Sequence, residues 1–179
     1  MSTVNYVAAA ARIDPTASFT ELVLDVTDYD SLVWAGTPIP RSTLDAEWLS
    51  MQQQKKIAEL AEAMKVEVTS GFLSDVLVPG TFRKYDSDVQ GQVAIIGAIV
   101  LTQHRAGMTF YRLSSVDPTT GMRSYANHNG EQLLDLLTTL GDWSSAIISK
   151  LENKIYQVMT ANTGDIEADL ATLITITWL

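Results

Sequence analysis

Residues 70–107, SGFLSDVLVPGTFRKYDSDVQGQVAIIGAIVLTQHRAG, constrain the fold more than any other stretch of this chain. A short β-like unit runs into an acidic turn, Tyr85-Asp86-Ser87-Asp88, and that turn opens directly into an apolar helix over 89–103. Pro79-Gly80 marks a turn inside the β-like part, and residues 81–85 continue extended. Ser87 or Asp86 is placed to cap the helix, with Asp88 in its first turn, where the helix dipole favours negative charge. The helix is apolar nearly all round, and Gly91, Ala94, Gly97 and Ala98 keep it slim; such a helix is expected at the centre of a domain. Two further strand candidates, 108–113 and 122–126, flank the turn Asp117-Pro118-Thr119-Thr120-Gly121. The expected fold is α+β, with short antiparallel hairpins packed on several helices and a long C-terminal helix.

The remaining segments complete that reading. Residues 6–13 are an Ala-rich helix ended by Asp14-Pro15. Residues 19–26 alternate as a strand, with Phe19, Leu22 and Leu24 against Thr20, Glu21 and Asp25. Residues 31–35 form its hairpin partner across a turn at 27–30. Two prolines break the chain before a helix over 42 to about 65, which Ser42 and Asp45 start as a weakened capping box. Leu44, Trp48 and Met51 give that helix one apolar face, resumed by Ile57, Leu60, Ala61 and Met64. The polar residues 52–56 between them are expected to be solvated or to cross a gap between two bodies. Residues 66–80 read as one or two short strands.

In residues 131–159, Leu133, Leu137, Leu140, Ser144, Ile147 and Leu151 follow a heptad spacing that Ile155 and Val158 continue. The seam reads first as an intramolecular core face and second as a self-association surface, with Gly141 as a kink. The end, LITITWL at 173–179, reads as an apolar strand without cover, which calls for a partner. The partition that results is a small N-terminal module at 1–41 (helix plus β-hairpin), a connecting helix at 42–68, and an α+β domain at 69–179.

Composition narrows the function. The formal charge is −9, and the 12 Lys and Arg are scattered, so no basic cluster offers a phosphate footprint and nucleic acid is not an expected partner. The longest apolar run, 93–101, has nine residues counting Gly97; a membrane span needs about 20, so no membrane insertion is expected. The start, MSTVNYVAAAARIDP, does not read as a signal peptide. Cysteine is absent, which removes disulfides, thiol nucleophiles and thiolate metal sites together.

The residue types that carry chemistry do not assemble into a motif. His104 and His128 fall in different elements, and no nucleophile elbow accompanies either. Both read as surface or helix-end histidines, and His104 with Arg105 suits the negative end of the apolar helix. Asp86-x-Asp88-x-x-Gly91 lacks the later Glu of a calcium loop, so helix capping explains it better. The carboxylates Asp25, Asp28 and Asp30 sit in a predicted turn, where Asp is favoured locally. A hydrolase of cell-surface polysaccharide would need two carboxylates about 5–10 Å apart in a groove, and nothing in the pattern supplies them. No catalytic residue, cofactor or metal is expected.

Two segments resemble phage proteins. The first is a short Ala-rich helix, a strand pair ending in Leu32-Val33-Trp34, a Pro-containing break, and then Ser42-Thr43-Leu44-Asp45-Ala46-Glu47-Trp48. It resembles small phage tail proteins in which a strand ending in Trp is followed by Pro-Thr and an acidic helix with a Trp; here Arg41-Ser42 stands between Pro40 and Thr43. The second begins at Gly71-Phe72, has Asp88 before a helix carrying Gln90 and Gln92, and closes with Lys150 through Thr160-Ala161. It is similar to a domain of unknown function found at the ends of phage tail-fibre and related virion proteins, with Tyr111 on the strand where that family has a central tryptophan.

The resemblance implies a non-enzymatic virion role: a tail-fibre, fibre-adaptor or baseplate-peripheral subunit, made in the host cytoplasm and located in the tail. Its partners would be other phage tail proteins and copies of itself, a trimer being the form tail fibres generally take. The alternative is a tail-fibre assembly chaperone absent from the mature particle. The interface residues expected are Trp34 and Trp48 at the N-terminal junction, Leu137, Ile147 and Leu151 on the seam, and Ile176 and Trp178 in the tail. Deleting 173–179 is expected to weaken assembly more than folding.

Overall fold

A computed structural model describes residues 3–20, 25–105 and 107–179. The described residues form five α-helices and a four-stranded antiparallel sheet, the α+β class expected. In chain order they are α1 (Tyr6–Ile13), a 3-10 turn (Tyr29–Ser31), α2 (Arg41–Ser70), β1 (Phe72–Ser74), β2 (Arg83–Tyr85), α3 (Val89–His104), β3 (Phe110–Val116), β4 (Arg123–Asn129), α4 (Gly130–Thr160) and α5 (Ile166–Thr175). The sheet order is β1-β2-β3-β4, with α3 inserted between β2 and β3. The chain groups into two compact units, one of Met1–Ala61 with Glu152–Leu179 and one of Glu62–Leu151. This division differs from the sequential partition: the C-terminal segment belongs with the N-terminal one, and α2 and α4 each contribute to both units.

In the first unit, α1 starts at Asn5, whose side chain accepts from the Ala8 N–H at 2.9 Å, and it buries Tyr6, Ala9 and Ala10. The Tyr6 hydroxyl donates to Asp45 at 3.0 Å and accepts from Arg41 Nε at 3.1 Å. Asp45 is therefore engaged with Tyr6 rather than closing a capping box with Ser42. Half of the expected strand at 19–26, residues 21–24, lies outside the described residues. The described part is a single antiparallel bridge, Phe19 to Trp34, flanked by hydrogen bonds from the Thr20 N–H to the Val33 carbonyl and from the Ala35 N–H to the Ser18 carbonyl at 2.8 and 2.9 Å.

The polar stretch of α2 is not simply solvated. Gln53 Nε2 donates to the carbonyls of Val158 and Ala161 at 2.9 and 3.2 Å, reinforcing the end of α4, where Val158 also accepts from the Ala161 N–H at 3.3 Å. The tail also departs from expectation. Asp165 accepts from the Glu167 and Ala168 N–H groups, which starts a helix through Thr175 where a strand was read. Asp169 on that helix is buried, and its carboxylate accepts from the Thr163 N–H and hydroxyl at 2.9 and 2.8 Å. Leu173 and Ile176 are buried, so removing 173–179 strips core from this unit and the expected separation of assembly from folding does not follow.

In the second unit, α2 continues to Ser70 where strands were expected, and the chain turns at Gly71 (φ 95°). Phe72 pairs with Tyr85 across β1 and β2. Phe72, Tyr85, Ile95, Leu113, Leu133 and Leu136 form the core, and Trp143 packs its ring 6.0 Å from that of Phe72. The acidic turn after β2 is a junction. Ser87 donates through its hydroxyl to the Val68 carbonyl near the end of α2. Asp88, not Ser87 or Asp86, is the N-cap of α3, accepting from the Gly91 N–H at 2.7 Å. Asp86 takes two hydrogen bonds from Arg123, at 2.7 and 3.1 Å, and this contact holds its carboxyl below the usual aspartate range. The β3–β4 turn closes on Asp117, which accepts from the Thr119 and Thr120 N–H groups. Helix α4 runs unbroken through Gly141.

His128 corrects the sequence reading most sharply. It is wholly buried on β4. Its Nδ1 lies 3.0 Å from the Ala126 carbonyl and its Nε2 lies 2.9 Å from the Tyr85 hydroxyl. A carbonyl can only accept, so Nδ1 carries the proton and Nε2 accepts from Tyr85. Burial lowers the His128 pKa from 6.5 and raises that of Tyr85 to about 12. In the unfolded chain His128 takes up a proton near its ordinary value while the folded site resists it. The stabilisation is therefore complete above pH 6.5 and is lost as pH falls from there through the lowered folded value. The expected result is a stability of the second unit that declines below about pH 6.5, with a shallower decline in His128→Gln, measured by denaturant titration across pH. An acid slope unchanged by the substitution would remove His128 as its source.

Candidate assembly surface

Helix α3 is positioned by its ends. Asp88 caps the first turn, the Gln92 side chain donates to the Ser87 carbonyl at 2.8 Å, and His104 stands in the last turn with Arg105 as C-cap. The helix carries no Asp, Glu, Lys or Arg from Val89 to His104. Its buried residues are Ile95, Ala98 and Ile99, which pack into the core of the second unit.

The expectation of a central helix holds for that face only. Val89, Val93, Ile96 and Val100 are 75%, 63%, 50% and 49% exposed. At about 100° per residue these four fall within roughly 60° of arc on the side away from Ile95, Ala98 and Ile99. An exposed Val or Ile forgoes about 1–2 kcal/mol of burial, and four in register along one helix form a patch rather than the scattered apolar exposure common on surfaces. Gly97 beside them is open, with nothing within 4 Å of where a Cβ would stand. The arrangement can bury apolar surface against another protein, and it offers no group for acid–base or nucleophilic work.

The residues expected at interfaces lie elsewhere. Trp34 is half-buried with its ring 4.9 Å from Phe19. Trp48 is half-buried, and its indole N–H is enclosed without a hydrogen-bond partner among the described residues. Ile147 and Ile176 are buried, while Leu137, Leu151 and Trp178 are half-buried. The α4 seam thus faces the interior, the first of its two readings. The α3 stripe was missed, although its signal was in the sequence: β-branched residues spaced 4, 3 and 4 apart in a helix without charge.

A groove of about 300 Å³ beside the start of α3 is lined by Asp86, Asp88, Tyr111, Arg112 and Tyr125 among others. Its carboxylates are already engaged, Asp86 by Arg123 and Asp88 by the Gly91 N–H. Among the described residues, no group of three or more His, Cys, Asp or Glu side chains could hold a metal ion, and no helix is long and apolar enough to cross a membrane. Comparison with protein-family models, curated proteins and solved structures finds no match to the chain.

Proposed function

We propose that this chain is a non-enzymatic structural protein of a bacteriophage tail, a fibre, fibre adaptor or baseplate-peripheral subunit that works by binding other proteins. The observation that carries the binding role is the exposed, charge-free stripe of α3. A cohesive apolar face on a chain of charge −9 suits permanent assembly, since burying it requires no ion to be desolvated. The resemblance of the two segments to phage tail and tail-fibre proteins supplies the setting, with the tail of the virion as the location. Four of the marks of that resemblance, Gly71, Phe72, Asp88 and Gln92, belong to the junction of α2, the β1–β2 pair and α3, while Lys150 through Thr160 lie on α4.

Quantitative mass spectrometry of purified particles tests the reading. Recovery of the chain at a fixed number of copies per particle is expected. Recovery from infected-cell extract with none in particles would overturn it in favour of the assembly chaperone.

A further inference from the structure

We infer that Asn129-Gly130, the junction of β4 and α4, is a site of spontaneous covalent rearrangement that the fold holds in check through Gln132. Of the five asparagines in the chain, only Asn129 is followed by glycine. A glycine in that place leaves its main-chain nitrogen unshielded and its backbone free to adopt the conformation that ring closure needs. Asn129 is exposed, and nothing lies within 4 Å of where a Cβ of Gly130 would stand, so solvent reaches the asparagine and the glycine is not walled in. Gly130 opens α4, and an N–H at the first helical position has no acceptor within its helix.

The chemistry consumes only water. The Gly130 nitrogen, its proton taken by solvent base, attacks the Asn129 side-chain carbonyl carbon. A new C–N bond forms, the bond to the side-chain nitrogen breaks, and that nitrogen leaves as ammonia with a proton from water. Water then opens the cyclic imide at one carbonyl or the other, giving aspartate or isoaspartate. Aspartate keeps the cap and adds a charge that a helix start favours. Isoaspartate lengthens the main chain by one carbon between strand and helix, and so breaks the cap and the pairing of Asn129 with Phe110 at the end of β3–β4.

Two reciprocal hydrogen bonds oppose ring closure. The Gln132 N–H donates to Asn129 Oδ1 at 2.8 Å, and the Asn129 N–H donates to Gln132 Oε1 at 3.0 Å, the pattern of a capping box. Gln132 Nε2 donates in turn to the Val76 carbonyl at 3.2 Å, which ties the clamp to the connection between β1 and β2. Attack requires the Asn129 amide to turn its face to the Gly130 nitrogen, and the bond to Oδ1 restrains that rotation. Two bonds of ordinary net strength slow the reaction by roughly thirtyfold relative to the unfolded chain.

The test is incubation of the full chain at mildly alkaline pH, with peptide mapping by mass spectrometry to quantify aspartate and isoaspartate at each asparagine. Conversion is expected at position 129 ahead of the others, about thirtyfold slower in the folded chain than in urea. In folded Gln132→Ala it is expected to be about fivefold faster than in folded wild type. The variant's rate across sub-denaturing urea separates cap release from global unfolding: a local opening exposes little surface and gives a flat dependence, global unfolding a steep one. Gly130→Ala is expected to suppress conversion with unchanged circular dichroism. Equal rates in folded and unfolded wild type overturn the inference. So does conversion at 129 no faster than at the other asparagines, or a Gln132→Ala rate that is unchanged or climbs steeply with urea.

Discussion

Gly71→Ala is expected to destabilise the 62–151 unit by about 3 kcal/mol, more than most single substitutions. Two penalties coincide at this residue. Its φ of 95° lies where a side chain is strained, at about 1–2 kcal/mol. An added Cβ would also stand 2.5 Å from the Tyr85 carbonyl oxygen, and relieving overpacking adds about 1–3 kcal/mol. The obstacle is backbone in a paired strand, and Phe72 next door is fixed opposite Tyr85, so neither side can yield cheaply. Gly141→Ala serves as the contrast. Its site is helical and open, and about 0.5–1 kcal/mol of stabilisation is expected. Native-state hydrogen exchange on β2, β3 and α4 amides reads both, and equal effects of the two substitutions would refute the account of Gly71.

Phe72→Ala is expected to cost the same unit about 3–5 kcal/mol. Phe72 is almost completely enclosed, and its ring lies 5.8 Å from that of Tyr85 and 6.0 Å from that of Trp143. Truncation leaves a cavity between a strand pair and α4, which these short strands are poorly able to collapse. Trp143 should lose its packed neighbour, so its emission should shift to the red under conditions that keep the unit folded. Phe72→Leu, which keeps most of the volume, should cost markedly less. A loss in Phe72→Ala no larger than in Phe72→Leu would show that the cavity is not the cause.

What the sequence revealed depended on how local the cause was. Helix α1 was read to its exact residues because Ala content and Asp14-Pro15 act within one or two turns. The β3–β4 hairpin was recognised from Asp117 and Gly121, whose turn hydrogen bonds are equally local. Failures came where distant partners decide. Residues 66–70 stay helical in a chain where Ser87 reaches back to the Val68 carbonyl, a contact across 19 positions that no window displays. The LITITWL segment has β-type composition, yet the Asp165 cap and the burial of Leu170 and Leu173 draw its first three residues into α5. His128 looked like surface because its partner, Tyr85, is 43 residues away. For the candidate site, the pattern of α3 was visible and its meaning was not. A helix apolar all round can be buried on every side or buried on one and sticky on the other, and only the burial of Ile95, Ala98 and Ile99 against the exposure of Val93 and Val100 separates the two.

The discontinuous first unit sets an order of events during synthesis. The segment Glu62–Leu151 is contiguous and contains every strand of the sheet, so it can reach its native contacts while translation continues, at about 5–20 residues per second. The unit of Met1–Ala61 cannot close at that stage, because Leu170, Leu173 and Ile176 of its core have yet to be made. Residues before Glu62 must therefore wait for residues after Leu151, and α3 with its exposed stripe is folded and ready to meet a partner before Leu170, Leu173 and Ile176 emerge.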